Sequence, residues 1–165
     1  MTRSSLDRRH VLVALGSGTA TVLAGCNTDA GIDGDPTYED GTVDDVDGED
    51  RSAEELTAAE SVTEQEIDER VTPLGALTIA EHSFVLEDDY RGPTVQGTVE
   101  NGADDRITVV EVRVRVFDDD GAQLGRYLDT TGDLDGGTDW SFDVVLLESP
   151  DDVADYDVAV LGTPT

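Results

Sequence analysis

The chain has 165 residues, 39 of them Asp or Glu and 10 of them Arg, with no Lys and a formal net charge of −29. A polyanion of this kind repels phosphate backbones, which excludes nucleic acid as a partner. Its one cysteine, Cys26, has no second thiol in the chain, so no internal disulfide contributes to stability.

The first 25 residues carry Arg3, Arg8 and Arg9 against a single acid, Asp7. The Arg8-Arg9 pair precedes an uncharged stretch from Val11 to Gly25 that is diluted by Gly, Ser and Thr. That stretch is shorter than the roughly 20 residues needed to span a bilayer core. A positive start, a short apolar run and small residues at its end describe a secretory signal over residues 1–25, and the Arg pair points to the twin-arginine type.

Leu23-Ala24-Gly25-Cys26 resembles the lipobox of prokaryotic lipoproteins. The resemblance implies that Cys26 is alkylated by diacylglycerol and becomes the first residue of the mature chain. A lone thiol suits that chemistry, since a thiolate is the nucleophile and no partner competes for it by oxidation. An uncleaved N-terminal anchor or a buried structural cysteine each account for fewer of these features. One acyl chain anchors only marginally, whereas two hold firmly. The expectation is a protein fixed to the extracytoplasmic face of the cell membrane by lipid on Cys26, with no transmembrane helix.

The absence of Lys and the excess of Asp over Glu resemble proteins of salt-loving archaea. Self-repulsion at this charge opposes compaction, and in molar salt the Debye length falls to roughly 3 Å, which screens most of it. A solvated acidic surface is therefore the default account of every Asp cluster.

Residues 26–73 read as an acidic, mostly disordered tether. Low hydrophobicity and high charge leave too little apolar surface to offset chain entropy. Within it, a helix is expected over 52–70: Ser52 and Glu55 have capping-box spacing, and Glu66 and Arg70 are placed for an i,i+4 pair. The tether would serve as reach, holding a domain clear of the membrane.

Residues 74–165 contain seven of the eight aromatic residues. A first strand or pair of strands is expected in Leu77–Glu87. Val95, Gly97 and Val99 then alternate with Gln96 and Thr98, and Asn101-Gly102 supplies a turn. Val110, Val112, Val114 and Val116 alternate with Glu111, Arg113 and Arg115, the pattern of a half-buried strand. Asp118–Gly121 forms a turn, and a second follows over Thr131–Gly137. Trp140, Phe142, Val144 and Leu146 point inward, as do Tyr156, Val158 and Val160. Strands at this spacing with Gly and Asp turns predict an all-β fold: one immunoglobulin-like antiparallel β-sandwich, with Trp140 as its central ring.

Val114-Arg115-Val116-Phe117-Asp118 resembles the naming motif of the FxLyD family, with only the Asp identical. "VQGTVEN" and "DGGTDWSF" resemble two further strands of that family. The likeness covers about Leu77 to Val145. It implies a β-sandwich on a secreted or lipid-anchored prokaryotic protein, and it carries no catalytic residues.

No nucleophile motif accompanies His82, the one histidine after the signal. Soft and nitrogen ligands are too few for zinc or copper, and no cofactor is implied. Calcium is the alternative to a plain acidic surface, with Asp118, Asp120, Asp133 and Asp135 as candidate ligands if their turns lie together. Arg113, Arg115 and Arg126 are expected on the solvent face, either paired with acids across strands or forming a face for an unidentified protein partner. The chain thus reads as a non-enzymatic, lipid-anchored surface protein whose β-sandwich mediates interaction or envelope structure. The alternative is a calcium- or solute-binding accessory subunit of a membrane transport or secretion system.

Overall fold

The run of alternating valines builds the strand at the centre of the molecule. In the computed structural model, which describes residues 34–44 and 48–164, this strand is β4 (Ile107–Phe117). Val110, Val112, Val114 and Val116 are all fully buried. Before it come β1 (Glu39–Thr42), the helix α1 (Ala53–Thr63), β2 (Leu77–Leu86) and β3 (Pro93–Asn101); after it come β5 (Gln123–Leu134), β6 (Asp139–Val145) and β7 (Asp155–Gly162).

The strands form two antiparallel sheets, ordered β1-β7-β4-β5 and β2-β3-β6. Their inner faces meet in one core. The smaller sheet contributes Ile79, Val95, Val99, Phe142 and Val144, and the larger contributes the β4 valines, Tyr156 and Val158. Each such aliphatic side chain stabilises the fold by about 1.5–3 kcal/mol relative to exposure. Counted from β2, the first, second and fifth strands share one sheet while the third and sixth, β4 and β7, lie adjacent in the other, the order of an immunoglobulin-like sandwich. The outer edge of β7, where such a fold places its last strand, is taken here by β1 from the N-terminal side.

The sandwich has two ends. One carries the loops 102–106 and 135–138 and the residues after β7; it is organised by Asn101, which is 1% exposed. The Asn101 Nδ2 donates to the carbonyls of Asp105, Leu134 and Asp135, while its Oδ1 accepts from the Ala103 N–H. The other end carries the β2–β3 loop 87–92, the β4–β5 turn at 118–122 and the segment 146–154, with residues 48–52 packed beside them. These are called below the Asn101 end and the Asp119 end.

β5 runs on through residues 131–134, where a turn is expected, and two further expectations need correction. Trp140 is not the central ring. It lies near the start of β6, an edge strand, and is only partly buried, whereas Phe142 two residues on is 2% exposed. Phe142 sits over Gly97, its register partner, and a Cβ at Gly97 would stand 2.5 Å from the Phe142 Cζ.

The second correction concerns the tether. Over its described residues, the stretch before Leu74 is a strap bound to the sandwich. β1 pairs with β7. The Arg51 guanidinium donates to the carbonyls of Tyr90, Arg91 and Leu146, which tie two loops together. The helix starts at the Ser52–Glu55 capping box, with both reciprocal bonds made, and lies against β6 with Ala59 fully buried. The Asp68 N–H donates to the Glu111 carboxylate at 3.0 Å, and Thr72 bridges to Gly162. Composition alone misjudges this stretch because backbone pairing and one half-buried Arg head hold it, with only a few buried apolar residues such as Ala59 and Val71. The helix ends at Thr63, short of the expected 70, so Glu66 and Arg70 are not on one helix, and Arg70 pairs instead with Asp68 at 2.6 Å, two residues away.

Candidate functional site

An open depression of about 590 Å³ lies on the outer face of β2-β3-β6. Side chains alternate across a strand, so the residues that leave the core at Val95, Gly97 and Val99 put Gln96 and Thr98 outward. Register sets two polar rows across the three strands: Ser83, Gln96 and Asp143 in one, and Glu81, Thr98 and Ser141 in the other. Arg91 reaches over the rim from the β2–β3 loop and pairs with Asp143 at 2.7 Å, Asp89 at 2.8 Å and Glu87 at 3.5 Å. Its charge is therefore spent inside the site. The remaining surface offers hydroxyls, an amide and carboxylates, suited to hydrogen-bonding a neutral or cationic polar partner and unsuited to an anion.

Asp143 is the most constrained group here. Its Oδ1 is buried without a hydrogen-bond partner. Its backbone N–H, on the open edge of β6, donates to the Asp129 Oδ2 at 3.0 Å. Asp129 so caps an unpaired strand edge, and burial, with Asp143 nearby, pushes its carboxyl above the ordinary range.

A second gap of about 330 Å³ opens between β1 and β2, lined by Asp40, Gly41, Thr42, Asp44, His82, Ser83, Phe84 and Tyr156. The His82 Nδ1 and the Tyr156 hydroxyl are 2.8 Å apart, with the rings edge to face. Burial pushes the Tyr156 phenol up to about 12, so it stays a neutral hydroxyl at physiological pH. The pair links β2 of one sheet to β7 of the other.

Cys26, Arg8, Arg9 and the lipobox residues Leu23, Ala24 and Gly25 lie outside the described residues. The calcium candidates are not brought together. Asp118 and Asp120 stand at the turn entering β5, and Asp133 and Asp135 at its far end, 12 residues along one strand; that separation is on the order of 35–40 Å. The Asp118 Oδ1 is already engaged by the N–H groups of Asp120 and Ala122, and Asp133 faces Arg106 at 3.5 Å. Among the described residues no group of three or more His, Cys, Asp or Glu side chains is placed to hold a metal ion.

The three arginines have separate fates. Arg115 pairs with Asp157 across the strands and stacks over the Tyr38 ring at 3.7 Å. Arg113 is not on a solvent face: its side chain is 12% exposed and pairs with Glu111, which is fully buried. Arg126 is exposed on β5, in register with Arg115. Tyr38, Gly41, Arg51 and Asp68 have structural roles that period-2 reading does not reveal, because their partners are far along the chain. For Glu111 and Arg113 the one local signal was opposite charges two residues apart on a strand.

Among the described residues no helix is long and apolar enough to cross a membrane. The sequence matches no protein-family profile, and no solved structure matches it. It is 33% identical over 84 residues to an uncharacterized protein of Methanocaldococcus jannaschii, a match spanning 50% of this chain and 62% of that protein.

Proposed function

We propose that this is a non-enzymatic, lipid-anchored protein of the extracytoplasmic membrane face, whose immunoglobulin-like sandwich serves as an interaction module. The observation that carries the reading is the position of Cys26. The chain's sole cysteine closes an uncharged run, inside a lipobox-like tetrapeptide, 17 residues after the Arg8-Arg9 pair. The resemblance of residues 77–145 to FxLyD domains supports the same placement, since those domains sit on secreted and lipid-anchored proteins. The polar platform around Gln96 and Thr98, flanked by Glu81 and Glu87, supports a partner that presents hydrogen-bonding or cationic groups rather than phosphate.

Fractionation of cells making the wild type and Cys26→Ser tests this. The wild type partitions with membranes and incorporates a lipid label, and the variant does neither. A variant that remained in the membrane and still took up the label would overturn the proposal.

A further inference from the structure

The strap changes what the lipid anchor does to the domain. If residues 26–73 were free chain, the sandwich would stand far from the bilayer. Instead the folded body is engaged from Tyr38 onward, with Tyr38 against Arg115 and β1 on β7, and described chain begins at Gly34. From Tyr38, the first engaged residue, back to Cys26 is 12 residues, which span at most about 43 Å even when fully extended. That is about the length of the sandwich itself, since the 12 residues of β5 rise about 40 Å.

The direction of β1 says which end faces the anchor. β1 runs antiparallel to β7, and β7 ends beside Thr72 and Val109 at the Asn101 end. The chain therefore enters β1 from the Asn101 side and leaves it toward the Asp119 end. Charge is distributed in the same sense. At the Asp119 end, residues 43–44, 48–52, 87–92, 118–122 and 146–154 hold twelve carboxylates and two arginines. Both arginines are engaged internally, Arg51 by carbonyls and Arg91 by Asp89, Glu87 and Asp143. At the Asn101 end, residues 102–106 and 133–139 hold five carboxylates and Arg106, which faces Asp133. An anionic lipid surface repels the first end more than the second at low ionic strength; in molar salt, where this is screened, the direction of β1 alone sets the orientation.

We infer that the anchored chain rides directly over the bilayer, with its Asn101 end toward the lipid and its Asp119 end presented outward. This rests on the lipid-anchor reading above. It assigns the bilayer surface to the loops around Asp104 and Asp135, and leaves the β2–β3 loop and the Asp118–Gly121 turn accessible to partners.

The test uses the full lipidated chain, purified from producing membranes into phosphatidylglycerol vesicles in molar KCl. With Cys26 acylated, Asp104→Cys and Asp119→Cys each introduce one reactive thiol, and each removes one exposed carboxylate. A donor dye on either thiol reports energy transfer to an acceptor on the lipid headgroups. Transfer from position 104 is expected to be severalfold stronger than from 119. Adding Gly41→Val, which displaces β1 and lengthens the free chain, should shrink the difference. Chain that floats with the vesicles but transfers equally from both positions, or more from 119, overturns the orientation alone. Chain that carries no lipid and fails to float overturns the anchor, and the orientation with it.

Discussion

Gly41 lies flat against the ring of Tyr156, its register partner across β1 and β7. A Cβ at this glycine would stand 2.5 Å from both Cε atoms of the ring, closer than any real carbon contact. The hydroxyl at that same end of the ring meets His82 on the opposite sheet. One glycine thus admits an N-terminal strand to an edge that β7 would otherwise leave unpaired.

Gly41→Val should therefore detach β1 without unmaking the core. The expected cost is about 1–3 kcal/mol, the usual scale for forcing carbon into an occupied space. Hydrogen exchange should speed at the β7 amides that bond to β1, and protease should cut between residues 34 and 44. Unchanged exchange at β7 would show that β1 does not hold that edge.

The outer face of β4 gives a second prediction. Glu111 is fully buried beneath the strap and accepts from both Arg113 and the Asp68 N–H. Glu111→Ala leaves Arg113 without its carboxylate in a covered site, which should cost about 3–5 kcal/mol. Because the pair is shielded, the loss should be similar in dilute and in molar salt, unlike the loss of a surface pair. A melting temperature lowered only in dilute buffer would place Glu111 at the surface instead.

The sandwich itself was legible in the sequence because the inward residues repeat at period 2 and the turns are written in Gly, Asp and Asn. Val110 to Val116 needed nothing beyond that alternation. The strap was not legible. Glu111 reads as solvent-facing from its neighbours, since what covers it, the Asp68 backbone, lies 43 residues earlier. Gly41 and Arg51 act through partners more than 90 residues away, Tyr156 and the Leu146 carbonyl. An acidic composition says how little apolar surface a segment can bury. It says nothing of backbone pairing to an open strand edge.

Salt and calcium should separate cleanly. The strands and loops from Leu74 onward are strongly acidic, so the melting temperature should rise with KCl and with NaCl alike, through screening. Millimolar calcium added to molar KCl should leave it nearly unchanged. Asp118 is engaged by its own turn, and Asp133 and Asp135 lie at the opposite end of β5. A saturating rise following RT ln(1 + [L]/Kd), abolished by Asp118→Asn or Asp133→Asn, would establish a specific calcium site.

Mass spectrometry of the N-terminal peptide from the mature protein, taken from the cells that make it, bears most directly on the anchor. The anchored reading predicts a chain that begins at Cys26, its Sγ bonded to diacylglycerol and residues 1–25 removed. A peptide that runs unbroken through Leu23-Ala24-Gly25-Cys26 with a free thiol would contradict it.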